Sequence, residues 1–292
     1  MRDKRLLKYV LFIVLCVIWG SSFILMKRGL DAFTPAQVAC IRMTVAFLCL
    51  FPFVIGHLRS IPRGKWKYII LVGILGNGIP ALLFTTAETR VPSSIAGMLN
   101  SLTPLFTLIV GILFYHYKPG IYKTVGILLG LAGATMLVIH GSQDGYEGQG
   151  FYSLLIIAAC ISYAVDTYLL NFNLAQLKAV DVAGFALFPV GIAAGCWLFT
   201  TDFTWRLSNA PGAAKSLAAA SILGAFGTAL AQALFNKMLK ISSPLFAASV
   251  TYCIPFVALL WGLVDHEKIT AVHIAGFVIV LAGILLVNRK TA

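Results

Sequence analysis

Residues 73–111 read GILGNGIPALLFTTAETRVPSSIAGMLNSLTPLFTLIVG, and residues 224–262 read GAFGTALAQALFNKMLKISSPLFAASVTYCIPFVALLWG. At a constant offset of 151 the two stretches share eight of 39 positions without a gap, four of them Gly or Pro. Those pairs are Gly73/Gly224, Gly76/Gly227, Pro104/Pro255 and Gly111/Gly262, joined by Leu83/Leu234, Phe84/Phe235, Ala96/Ala247 and Leu108/Leu259. Gly and Pro set backbone shape, so their recurrence in register carries more weight than the identity alone. The register resumes after one deleted residue, where Gly126-Ile-Leu-Leu-Gly-Leu-Ala-Gly133 answers Gly276-Phe-Val-Ile-Val-Leu-Ala-Gly283. One design lies twice along the chain. We divide it at residues 1–142 and 143–292, because the polar, glycine-rich stretch Gly141–Gly150 falls midway.

The medium follows from composition. Sixty per cent of residues are hydrophobic, 11% are charged, and the mean hydropathy is +0.92. A soluble domain carries about a quarter charged residues. Ten apolar segments can be drawn, near 9–26, 35–56, 67–87, 94–115, 122–140, 151–171, 182–200, 215–236, 244–264 and 271–288. Each is long enough to cross roughly 30 Å of hydrocarbon as a helix. The expected fold class is therefore an all-α polytopic membrane protein, two inverted five-helix repeats around a central cavity. The first apolar run continues to Met26 with no small-residue cleavage site, as in a retained anchor rather than a signal peptide.

Charge gives orientation. With the N-terminus inside, 15 of the 22 Lys and Arg fall at cytoplasmic ends and six at outer ends, with Arg42 inside a span. That bias places both termini in the cytoplasm. Five spans per half also require the second half to enter from the opposite face. Inverted repeats of this kind recur in secondary transporters, with the substrate site at the repeat interface. The net charge of +12 is scattered between apolar runs rather than clustered, which argues against a nucleic-acid partner.

No catalytic motif stands out, and the six cysteines match no metal or disulfide spacing. We expect no enzyme activity, no cofactor and no metal. Candidate site residues come instead from polar groups at membrane depth. Gly73-Ile-Leu-Gly-Asn-Gly-Ile-Pro80 loosens the third span, and irregular backbone there needs protein or a watery cavity beside it. Its partner Gly224-Ala-Phe-Gly-Thr228 lacks the proline and reads as milder. The expected substrate-binding set is Trp19, Ser22, Asn77, Asn100, Tyr163, Asp166, Gln232, Asn236 and Tyr252. Asp166 and Arg42 are ionisable groups within spans, costly there and functional by default. They are expected either to couple transport to protons through Asp166 or to form an ion pair. Glu88, Asp265, Glu267 and Lys268 sit near outer ends, where solvation or pairing suffices, and the histidines near span ends are read as solvated. Gly126-x3-Gly130 reads as internal packing or a weak dimer face.

Trp19-Gly-Ser-Ser-Phe23 with Lys27, Arg42, Pro104, Pro255 and the Gly-x4-Leu-Ala-Gly ending of each half resemble the drug/metabolite transporter superfamily, in its ten-helix EamA-type permeases. The resemblance spans nearly the whole chain. It implies a basket-like bundle with a cavity lined by spans 1, 3, 4, 6, 8 and 9, and alternating access. It further implies export of amino acids or related small metabolites across a bacterial inner membrane. A lipid-carrier or drug flippase is the alternative. The expected partners are a small-molecule substrate and the lipid bilayer, with the protein a monomer or weak homodimer. Two departures stand out. The acidic residue that comes after the fourth span of each half is Glu267 in the second but His116 in the first, and the first span holds no acid.

Overall fold

A computed structural model of the chain describes residues 2–115, 120–141, 149–241 and 250–287. The linker at 142–148, His116 and the start of the ninth span lie outside the described residues. Among those residues the structure is helical, with no strand. Eight helices have the length and apolar character of a membrane span. They are α1 (Leu6–Leu30), α2 (Pro35–Leu58), α3 (Arg63–Ala87), α4 (Ser93–Phe114), α5 (Ile121–Ile139), α6 (Gly150–Leu174), α7 (Ala179–Leu198) and α8 (Ala213–Met238). Two shorter apolar helices complete the set, α9 (Val250–Val264) and α10 (Ala271–Val287). Phe114, Leu128, Phe172, Leu260 and Leu285 stand exposed on the outside of the bundle. In water such a surface would be a liability, and in lipid it is matched to its solvent. The chain is an all-α polytopic membrane protein.

Helix boundaries follow local chemistry. α2 opens on a capping box: Thr34 Oγ1 accepts from the Gln37 amide, the Gln37 side chain accepts from the Thr34 amide, and Pro35 stands in the first turn. That arrangement satisfies two orphan donors and costs no hydrogen bond at the proline.

The two halves clasp each other through equivalent helices. α2 packs along α7, and α5 along α10. Within the second pair Gly126 meets Gly283 and Gly133 meets Gly276, so residue numbers rise on one helix as they fall on the other. A methyl carbon at Gly126 would stand 2.6 Å from the Gly283 carbonyl oxygen, and one at Gly133 would stand 2.7 Å from that of Gly276. Equivalent helices that run antiparallel are related by an axis in the membrane plane, so the repeats are inverted. The glycine face of α5 is filled from within the chain.

The same exchange recurs in polar detail. Gln37 at the start of α2 donates to Thr201 Oγ1 (3.1 Å) and Asp202 Oδ1 (2.7 Å) beyond the end of α7. Asp181 at the start of α7 bonds His57 at the end of α2, at 2.9 Å. Gly73 of α3 lies against the carbonyl oxygen of Ala186 on α7, and Gly224 of α8 against that of Arg42 on α2. Those glycines recur because each passes a backbone of the other half too closely for a side chain.

Two sequence expectations change. The milder loosening expected at Gly224–Thr228 is in fact the longer one: α8 is π-helical over Leu223–Leu230, whereas α3 is so only over Ile74–Gly78. The wider π turn needs no proline, only carbonyls that find other donors. His273, read as solvated, is buried in the first turn of α10, where its Nδ1 accepts from the Thr270 amide at 3.2 Å.

The glycine contacts make a testable prediction. Gly126→Val forces α5 from α10 and should cost about 1–3 kcal/mol, the usual penalty of overpacking. It should lower the thermal midpoint of the detergent-purified protein. Gly56→Ala, where no atom lies within 4 Å, should leave that midpoint unchanged.

Candidate functional site

The π turns of α3 and α8 each face the first helix of the opposite repeat. A π turn displaces carbonyls from the helix ladder, and in a membrane they must find donors in protein. Ser162 Oγ of α6 donates to Leu75 O at 2.7 Å. Trp19 Nε1 of α1 donates to Gly227 O at 3.1 Å. Beside these bonds the chain keeps room for side chains only by using glycine. A methyl carbon at Gly76 would stand 2.6 Å from the Asp166 carboxylate, and one at Gly227 would stand 2.8 Å from Ser22 Oγ. Ser22 and Asp166 are thus equivalent positions of the two halves, each seated on the glycine of a π turn.

Between them opens a cavity of about 490 Å³, within the usual range for small-molecule sites. At its deep end Trp19 packs against Phe235, with ring centroids 5.2 Å apart, and Tyr163 stacks on Phe84 at 6.2 Å. Ser22, Asn77, Asn100, Asp166, Gln232 and Tyr252 line its wall, as does Arg42. The cavity reaches Lys123, Asn171 and Val287, at the end of the bundle where α1 begins and α10 finishes. Asn100 is brought there by a break in α4, whose helical hydrogen bonding is interrupted at Ser101 and Leu102 before restarting at Thr103.

Eight of the nine expected residues therefore line one cavity. Asn236 does not: its Nδ2 donates to Ala179 O at 3.0 Å and ties α8 to the start of α7. The ion pair between Arg42 and Asp166 is not formed. Arg42 Nε donates instead to Thr228 Oγ1 at 2.7 Å. Two buried polar atoms of the wall lack any protein partner, Asp166 Oδ1 and Asn77 Nδ2. Asn77 Oδ1 receives only a long bond from Gln232, 3.4 Å. Unsatisfied buried polar atoms are rare and ask for a ligand or water.

The opposite end of the bundle is closed by charge. Lys27 Nζ lies 2.5 Å from Asp265 Oδ2 and 2.7 Å from Glu267 Oε1, and Arg28 pairs with the same Asp265. Glu267 also accepts from both the amide and hydroxyl of Ser93 (3.0 and 2.9 Å) and of Ser94 (3.0 and 2.6 Å). A carboxylate on the first amides of α4 satisfies orphan donors and meets the positive end of the helix dipole. One side chain thereby joins the α9–α10 connection to α1 and α4. Burial alone would raise the Glu267 carboxyl, but the bonds from Lys27 and Ser94 outweigh it and hold the group below its ordinary value.

Sequence reasoning passed over one residue. Glu88, read as a solvated or paired end residue, is only 8% exposed, and neither of its carboxyl oxygens has a partner. No sequence signal marked it, because its neighbours Glu267, Lys27 and Arg42 come from distant segments.

The EamA-like transporter family matches this chain twice, over residues 6–139 and 150–289. The chain belongs to that family. It is 28% identical over 303 residues to an uncharacterized inner membrane transporter, YedA, of Escherichia coli K12, covering 99% of this chain and 93% of the relative. It is 25% identical over 293 residues to a probable terminal-alkyne amino-acid exporter of Streptantibioticus cattleyicolor, covering 98% and 95%. A solved crystal structure 16% identical superposes with a TM-score of 0.64 over 96% of each chain, which shows a shared fold. The protein is a multi-pass membrane transporter.

The Glu267 contacts predict an acid limb in stability. A carboxyl held below its ordinary value stabilises the fold fully above that value, about pH 4.3, and loses the contribution as pH falls through its folded value. Thermal midpoints measured from pH 7 downward should therefore drop below about pH 4.3. Glu267→Ala should start lower, by on the order of 3 kcal/mol for a broken buried pair, and show a shallower acid limb.

Proposed function

We propose that this EamA-like transporter exports small zwitterionic metabolites of the amino-acid class by alternating access. It works in a bacterial inner membrane, with both termini in the cytoplasm. The observation that carries the reading is the cavity wall itself: a guanidinium at Arg42, an unpartnered carboxylate oxygen at Asp166 and an unpartnered amide nitrogen at Asn77. A zwitterion offers a carboxylate that suits Arg42, whose fork matches it in two-point bonding. It offers an ammonium that suits Asp166, and Asn77 Nδ2 can donate to either carboxylate oxygen. The aromatic deep end, Trp19, Tyr163, Phe84 and Phe235, suits an apolar side chain. The name of the Streptantibioticus relative supports the substrate class, and the excess of basic residues at one face supports the orientation. In that orientation the cavity opens toward the cytoplasm, the side from which an exporter loads.

Two measurements test this. In proteoliposomes carrying labelled neutral amino acids, Asn77→Ala, Asn100→Ala, Tyr252→Ala and Asp166→Asn should each cut transport at least about tenfold, the loss expected from about 1.4 kcal/mol of binding, with normal yield of folded protein. Unchanged transport in all four would remove the cavity from the mechanism. For orientation, an alkaline phosphatase fusion at Gln143 should be active and one after Ala292 inactive. The reverse pattern overturns the assignment.

A further inference from the structure

Glu88 stands at the end of α3, one residue past the span, with Lys27 and Glu267 of the far-end ion-pair cluster among its charged neighbours. It does not line the cavity, so the substrate reading gives it no role. Its side chain is buried and both carboxyl oxygens lack a partner. The charged groups facing it come from three directions: Lys27 on α1, Arg42 on α2 and Glu267 in the α9–α10 connection. Lys27 is already paired with Asp265 and Glu267, and neither Lys27 nor Arg42 bonds the Glu88 carboxyl. On α6 the nearest titratable groups, Tyr163 and Asp166, face the cavity, and Arg90 on its own connection is exposed. An ionised carboxylate here would be a buried charge with no hydrogen bond of its own, beside a second carboxylate.

From this geometry we propose that Glu88 is a proton-binding site of the outer gate, carrying a proton while the Lys27–Glu267 cluster is shut and losing it to outside water when the cluster parts. The inference rests on the alternating-access reading. Burial, with the charge of Glu267 adding to it, pushes the Glu88 carboxyl well above its ordinary range, against Lys27 and Arg42. Closing the gate thus requires an outside proton, and opening it releases that proton to the same side. External acid should favour the closed gate, and external base the open one. No change of bonding beyond the O–H of the carboxyl is involved.

The test needs no substrate. Infrared difference titration of the full chain in liposomes reads the C=O stretch of protonated carboxyls apart from carboxylate bands. Wild type and Asp166→Asn should both keep, at pH 7, a protonated band that Glu88→Gln removes. Should Glu88→Gln fold poorly, Glu88→Asp must move the band instead. A spectrum at pH 7 that neither substitution alters overturns the proton site. Lys27→Gln tests the link to the gate, because its two effects have opposite signs. Loss of a nearby positive charge alone would move the Glu88 titration to higher pH. Opening of the gate would hydrate the carboxyl and move it lower, by about one pH unit or more. A downward shift supports the proposal; an upward or absent shift separates Glu88 from the gate and overturns it. Absence of amino-acid transport by the wild type, with these spectra as expected, would instead count against the substrate assignment.

Discussion

A carbonyl group freed from its helix inside a bilayer has to find a donor within the protein. In this transporter that constraint decides where the cavity is. The π turns at Ile74–Gly78 and Leu223–Leu230 release carbonyls within their spans, and Ser162 and Trp19 supply donors to Leu75 and Gly227. Those donors stand on α6 and α1, the first helices of the two repeats. The backbone defect therefore draws the leading helix of each repeat to a π turn, and the glycines there let side chains sit on bare backbone. A polar pocket results at the crossing of the repeats.

The scaffold obeys a two-fold rule, but its chemistry does not. Positions that the repeat equates hold different residues: Trp19 and Tyr163, Ser22 and Asp166, Asn77 and Thr228, Glu88 and Leu239. Gly73/Gly224 and the α5–α10 glycines stay matched because each guards a close backbone approach, where a methyl group has no space. Side chains that face the cavity escape that constraint and diverge. A symmetric bundle can thus present a carboxylate on one wall and a guanidinium on another.

Most of the architecture was legible in the sequence, since apolar length, glycine register and the odd number of spans per half are local or periodic signals. The cavity wall was largely legible too, because polar residues at membrane depth are few. Asn236 misled, since an amide near a helix end can bond a backbone carbonyl as readily as a ligand; here it takes Ala179 O. Of the two alternatives open for Asp166, the pair with Arg42 is not formed, because opposite charges in one membrane pair only if the fold brings them together, and Arg42 bonds Thr228 instead. Glu88 was illegible for the converse reason. A carboxylate at a span end reads as solvated until α1, α2 and the α9–α10 connection close over it.

The ends of the bundle are unequal, and inversion explains what that does. Under the repeat, Lys27 corresponds to Asn171 and Glu267 to His116. The far end therefore closes with a charged pair that also caps α4, while the matching sequence positions of the other half hold an amide and an imidazole. Charged, partly buried hydrogen bonds are stronger than neutral ones. In this structure the far end is the shut one, and the cavity opens toward the end where α1 begins. On the alternating-access reading, a ligand that opens the far end has to bind the open form better than the shut one by at least the free energy of that latch. The charged latch is thus one-sided, made by Lys27 and Glu267 at the far end, while the matching sequence positions Asn171 and His116 offer no opposite-charge carboxylate pair.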